Sequence, residues 1–372
     1  MMAEEGSSGP WRARGARPPS TMGDNAAART PPDRRPRRRS VVALVGLALV
    51  ALAAFEAGRA FVPPATLGDG PRSVEIPPQQ GLLGVARILV DAEVIRSRLA
   101  FVTLAVLRGT ARSLKAGEYE IPQGASLLTT LELIEAGKVK PHLIVLPEGF
   151  TIRELARQLE TEGIAAAGDV QRVATDPFFA QGLGVEADSL EGYLFPDTYR
   201  VTRGMRVEEI LGRMVQRFRE KIGTPEVRAQ ASARGLSLHA LVTLASIIEK
   251  EAVLPDERPL IAGVFWNRLH RDMPLQADPT VAYAVGRDGR APTREDLQVD
   301  HPFNTYRYRG LPPGPIANPG RASIDAALAP ASVPYLYFVA IDERRHHFSA
   351  TLEEHNQAVA RYRQARGRGG GA

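Results

Sequence analysis

The stretch Leu244-Ala-Ser-Ile-Ile-Glu-Lys-Glu251 lies in a run, residues 238–253, whose apolar positions recur at helical spacing. Stepping about 100° per residue from Leu241, Leu238, Ala245, Ile248 and Ala252 fall within roughly 60° of it, and Val242 near ~100°. Glu249 lands near ~80°, inside that apolar arc, whereas Lys250 points to the opposite side near ~180° and Glu251 sits near ~280°, beside Leu244. The two glutamates therefore serve different directions of one straight helix. A carboxyl among aliphatic side chains resists ionisation and holds its proton near neutral pH. Acid-catalysed cleavage of a glycosidic bond uses such a group. The plain alternative is a solvated glutamate at a helix end.

Working outward, further helical runs cover 151–163, 206–222 and 225–234, with a final one at 351–365. Pro334 to Ala340 is a fully apolar run suited to a buried strand, and His347-Phe-Ser349 begins its partner. Upstream, a short motif recurs. Val74-Glu-Ile-Pro77 precedes a helical run from Leu82, Tyr119-Glu-Ile-Pro-Gln-Gly124 one from Ser126, and Ile144-Val-Leu-Pro-Glu-Gly149 one from Thr151. Each reads as strand, turn and amphipathic helix, with a Ser or Thr cap in the last two. Gln79 stands where the other copies have glycine. Residues 72–140 thus resemble a small α/β module of the kind seen in LysM-type glycan-binding domains. The predicted fold class is α+β: this module precedes a mostly helical α+β catalytic domain over 141–365.

Charge is concentrated at the start. Residues 1–40 hold nine arginines and four acids, 9 − 4 = +5, which equals the net charge of all 372 residues. The remainder is neutral, so no folded part presents the basic face that nucleic-acid binding requires. Residues 1–40 and 366–372 are predicted to be disordered. Val41 to Phe55 is free of charge. With Ala57 to Val62 the segment reaches about 22 residues, or ~33 Å as a helix, enough to span a bilayer. Segment 41–62 is thus a predicted single transmembrane helix, with 63–71 a linker. Arginines ahead of it place the N-terminus in the cytoplasm and the rest outside, at the inner (plasma) membrane. A cleaved signal peptide exports the same domain. Cysteine is absent, which excludes disulfides and thiolate chemistry. The histidines lack metal-binding spacing, so neither metal nor cofactor is predicted.

Several segments are denser in polar and turn residues than a plain core requires: Leu190-Glu-Gly-Tyr-Leu-Phe-Pro-Asp-Thr-Tyr199, Val264-Phe-Trp-Asn-Arg268, Met273-Pro-Leu-Gln-Ala-Asp-Pro-Thr280, and Phe303-Asn-Thr-Tyr306 running into Gly310-Leu-Pro-Pro-Gly-Pro-Ile-Ala-Asn-Pro-Gly320. Aromatic faces beside carboxylates suit sugar rings. Singly, each has a structural explanation: Asn267 as a cap, Asp278 as a turn residue before Pro279.

In this order the segments resemble the YceG-like endolytic murein transglycosylases, over roughly residues 72–362. The resemblance implies a single-pass membrane protein that cuts nascent peptidoglycan strands internally, with peptidoglycan synthases as partners. It implies Glu249 as the catalytic acid and base and gives Glu251 and Asn267 lesser parts. Tyr193, Asp197, Gln276, Asp278, Asn304 and Tyr306 are the expected substrate-binding residues. Phe303 departs from the tyrosine common there. In such enzymes the muramoyl 6-hydroxyl attacks the anomeric carbon, so no second carboxylate is required. Two alternatives remain: a hydrolase using Asp197 or Glu191 as second acid, and a non-catalytic glycan-binding scaffold.

Overall fold

The computed structural model describes residues 36–62, 70–287, 289–342 and 344–369. The chain divides into two units, Met1–Glu56 and Ala57–Ala372. Helix α1 (Pro36–Phe61) begins inside the segment predicted to be disordered, so residues 36–40 are helical; a proline with fixed φ at the first helical position favours that start. The expected disorder of residues 1–35 lies outside the described residues, as does most of the 63–71 linker. Described side chains of α1 such as Val45, Leu47 and Val50 are exposed. Among the described residues no single helix is long and apolar enough to cross a membrane; the apolar part of α1 is Val41–Leu52.

The second unit opens with β1 (Arg72–Ile76), α2 (Leu82–Asp91), α3 (Arg98–Leu107) and β2 (Gly117–Ile121). The two strands pair antiparallel, Val74 opposite Tyr119, with both helices in the connection. Val74, Ile76, Leu89, Phe101 and Tyr119 form its core, which α4 (Leu127–Ala136) completes through Leu131 and Ile134. Gln79 adopts φ +64°, matching Gly124 at +70° and Gly149 at +77° in the other two copies of the motif. The recurrence is therefore real at the level of backbone conformation, with a non-glycine residue bearing the left-handed turn in the first copy.

The third copy leads elsewhere. Strand β3 (His142–Val145) pairs with β4 (Thr198–Val201), not with the module's sheet. Helices α5 (Ile152–Thr161), α6 (Ala167–Ala174) and α7 (Pro177–Gly182) fill the connection between them. Glu118 ties the two parts: it accepts from Ser73 Oγ at 2.5 Å and His142 at 2.8 Å, and pairs with Arg203 and Lys140. Burial opposes its charge, yet these partners prevail and lower its pKa.

The remaining elements are α8 (Val207–Lys221), α9 (Pro225–Ala233), α10 (Leu238–Glu251), α11 (Arg258–His270), α12 (Asp278–Ala284), a short 3-10 turn at Asp296–Gln298, α13 (Arg321–Leu328), β5 (Tyr337–Ala340), β6 (His346–Ser349) and α14 (Leu352–Gly369). Only residues 370–372 of the predicted loose C-terminal tail lie outside the described residues, because α14 continues to Gly369. Helix α10 runs through the centre of the larger core. Ser237 caps it by accepting from the Ala240 amide, and every residue from Leu241 to Ile248 is buried. The third sheet pairs Phe338 with Phe348. Its strand β5 is half-buried rather than fully buried as predicted. Phe338, Val339 and Ala340 face a cavity on one side, which removes the cover a buried strand would have.

Candidate active site

The C-terminal turn of α10 delivers its two glutamates into unlike surroundings. Glu249, with a side chain 5% exposed, accepts from Arg258 Nη2 at 3.2 Å and from the Gly320 amide at 2.9 Å. Arg258 is itself held by donating from Nε to Ser323 Oγ. A guanidinium and a backbone amide thus occupy its two carboxyl oxygens. The apolar setting predicted for Glu249 is therefore not what the fold supplies. Helix α11 and the start of α13 bring polar partners into the gap that the helical arc alone read as aliphatic. Glu148 joins this cluster, its pKa raised by burial and then by the charge of Glu249, against the pull of Arg258. Its carboxyl packs on Gly320 so closely that any side chain there would collide with it.

Glu251 is different. It is half-buried and lines two cavities, one of 330 Å³ with Lys250, Thr151, Pro279 and Tyr283, the other of 290 Å³ with Arg268, Gln276, Tyr306 and Phe338. Asp278 also lines both. Desolvation, and then the negative charge of Asp278, push the Glu251 carboxyl up to about 8. The proton-holding carboxyl of this helix is thus two residues beyond the one predicted, on the shoulder that the helical arithmetic assigned to Leu244.

Three of the expected substrate-binding residues gather around it. Asp278 opens α12 and accepts from the Tyr306 hydroxyl at 2.6 Å. Burial and this bond raise the Tyr306 pKa and keep it a phenol. Gln276 takes φ +50°, its amide donating to the Thr305 carbonyl and its Oε1 accepting from Arg268 Nη1 at 3.2 Å. That left-handed turn and its two bonds set Gln276 along the cavity wall. Arg268, absent from the predicted site, anchors this wall. It is buried, donates from Nη1 to the carbonyls of Pro274 and Leu275 and from Nε to Leu336, and lies 5.1 Å over the Tyr337 ring. Desolvation lowers its pKa. Periodicity could not single it out, because α11 is buried on all sides, with every residue from Ile261 to Trp266 buried as well as Arg268.

The other expected residues take structural posts. Tyr193 is buried, edge-on to Phe218, with its hydroxyl 2.8 Å from His239 Nδ1, while His239 Nε2 donates to the Pro313 carbonyl. Asp197 pairs with Arg217 at 2.7 Å and accepts from the Thr198 amide. Asn304 is fully buried and donates to the carbonyls of Leu297 and Val299. Asn267 donates to the carbonyls of Val333 and Tyr335, so it staples a distant loop and does not cap its helix. Glu191 accepts from the Ile152 amide at the start of α5 and from Asn318 Nδ2. The Pro/Gly loop is fixed by Asn318, which donates to Phe150 O, and by Ser246, which accepts from the Ile316 amide. Among the described residues no group of three or more His, Asp or Glu is placed to hold a metal ion.

The model of the YceG-like family matches residues 74–361. The chain belongs to the YceG-like family. The endolytic murein transglycosylase of Bacillus subtilis (strain 168) is 34% identical over 306 residues, covering 78% of this chain and 84% of that protein. The endolytic murein transglycosylase of Streptococcus pneumoniae serotype 2 (strain D39) is 30% identical over 322 residues, and the match spans 78% of this chain and 58% of that protein. Among solved structures, a YceG-like protein of Listeria monocytogenes superposes with a TM-score of 0.55 at 36% identity, over 78% of this chain and 99% of that one. The YceG-like match takes in the module, both sheets of the larger region and the whole Glu251 cleft.

Proposed function

We propose that this chain is a peptidoglycan lytic transglycosylase in which Glu251 is the acid and base. The observation that carries the reading is the position of Glu251 in the wall between two cavities, beside Asp278. A glycan strand cut internally extends on both sides of the scissile bond, and a single protonated carboxyl at the divide serves that bond. The relatives named endolytic murein transglycosylases support the substrate and the reaction class.

Glu251 donates its proton to the oxygen bridging N-acetylmuramic acid and N-acetylglucosamine, and the bond from that oxygen to the anomeric carbon breaks. The resulting carboxylate takes the proton of the muramoyl 6-hydroxyl, whose oxygen bonds to the anomeric carbon and closes a 1,6-anhydro ring. The carboxyl is thereby restored, and no water or cofactor is consumed. Asp278, an anion beside the site, stabilises the positive charge that develops on the sugar. Tyr306 orients Asp278, and Gln276, fixed by Arg268, faces the leaving sugar.

One observation favours hydrolysis instead: Asp278 is a second carboxylate at the same cleft, in a place where neither Asp197 nor Glu191 stands. Mass spectrometry of the products separates the readings. Anhydro-muramoyl ends support the transglycosylase, and reducing ends overturn it.

Beyond the chemistry, the arginines before Val41 and the apolar part of α1 support a single-pass anchor in the plasma membrane, with the cleft on the outer side. There the enzyme terminates strand elongation alongside peptidoglycan synthases. The two strands and two intervening helices of the first module support a LysM-like role in holding glycan.

A further inference from the structure

A third cleft, of 850 Å³, adjoins the catalytic one, and Tyr283 lines both. Tyr283 is a braced partition. Arg153 Nη2 donates to its carbonyl at 3.2 Å and the guanidinium lies 4.9 Å over its ring, while the Phe303 ring packs 5.2 Å away. The cleft beyond is more than twice the volume of either cavity at Glu251. Its walls carry both signs of charge, with Arg153 on α5, and Glu186 and Asp188 on the loop after α7. Glu186 has Arg228 at 3.9 Å, and its side chain is 83% exposed.

The sugars of a glycan strand carry no charge that such walls would recognise. The stem peptide does: it bears carboxylates and, on its diamino acid, an amine. It is attached to the muramic acid, the sugar whose anomeric carbon reacts, so it leaves the strand next to Glu251. Of the two cavities flanking Glu251, only the 330 Å³ one shares a wall residue with the charged cleft.

We propose that the 850 Å³ cleft receives the stem peptide. The muramic acid then occupies the cavity of Thr151, Pro279 and Tyr283, and the departing N-acetylglucosamine that of Arg268 and Gln276. The enzyme therefore prefers peptide-bearing strands over stripped glycan. This inference rests on the transglycosylase reading and adds the direction of the strand.

The test uses the full chain in detergent, on peptidoglycan strands with stem peptides and on the same strands after enzymatic removal of the peptides. The wild type is expected to form anhydro ends on the peptide-bearing strands with a kcat/KM at least about tenfold higher. Replacing the exposed acids, Glu186→Gln with Asp188→Asn, is expected to lower kcat/KM on those strands roughly three- to tenfold, the contribution of two solvent-exposed ion pairs. The rate on stripped glycan is expected to stay unchanged. Equal wild-type rates on both substrates, or equal losses in the variant, overturn the inference alone. Reducing ends from both substrates overturn the transglycosylase reading and this inference with it.

Discussion

The hydroxyl of Tyr306 donates a 2.6 Å hydrogen bond to Asp278, and Asp278 in turn is the anion that helps hold the proton on Glu251. The carboxyl proposed as the acid thus has beside it a residue 27 positions further along the chain, itself oriented by a third.

This arrangement sets the pH dependence. Glu251 acts in its protonated form and its carboxyl is pushed up to about 8, so kcat/KM falls as pH rises through that value. Asp278→Asn removes a negative charge that raises the Glu251 pKa, and the alkaline limb then moves to lower pH. Desolvation remains, so the limb stays above the ordinary carboxylate range. Full pH–rate profiles of both proteins check this; an alkaline limb that stays put or moves upward contradicts it.

The same shift has a consequence for stability. Between pH 4.5, the ordinary glutamate value, and about 8, the folded protein keeps the Glu251 proton and the unfolded chain releases it. The folded state binds more protons across that window, so its stability declines as pH rises and levels off above about 8. Glu251→Gln abolishes the decline. Relative to wild type the variant gains stability at alkaline pH and gains nothing in acid. Thermal unfolding at a series of pH values reads this directly, and parallel curves for the two proteins would refute it.

Glu249 is expected to matter for folding. Replacing it with alanine takes from the half-buried Arg258 its closest counter-ion and from the Gly320 amide its acceptor. The cost is about 2–3 kcal/mol, below the ~3–5 kcal/mol of a fully buried pair because Arg258 is partly exposed. Denaturant unfolding should show a lower midpoint with an unchanged slope. A midpoint equal to wild type would mean the ion pair contributes nothing.

Much of the scaffold was legible in the sequence because its determinants are local. Thr151 and Glu154 form a reciprocal capping box, Ser126 and Ser237 cap their helices, and the Pro-x-Gly turns adopt the left-handed backbone their glycines suggest. Gln276, Asp278 and Tyr306 were also within reach, since their segments carry more polar and turn chemistry than a core needs. The surroundings of Glu249 and Glu251 were not. Helical arithmetic presumes one apolar stripe and one wet side, but α10 is buried along all of Leu241 to Ile248, Thr243 and Ser246 included. Which flank of its last turn is polar depends on Arg258, Gly320 and Asp278, which other elements supply. The loop-bracing contacts of Tyr193, Asp197 and Asn304 were hidden for a related reason. Polar groups that brace loops look, in sequence, like polar groups that bind ligands.

The most direct test is digestion of purified peptidoglycan by the full chain as wild type, Glu251→Gln and Glu249→Gln, each compared per folded molecule. Anhydro-muramoyl ends should fall at least about a hundredfold in Glu251→Gln, the lower end of what general acid catalysis contributes, and persist in Glu249→Gln. Loss of those ends in Glu249→Gln with their retention in Glu251→Gln would contradict the assignment of the acid.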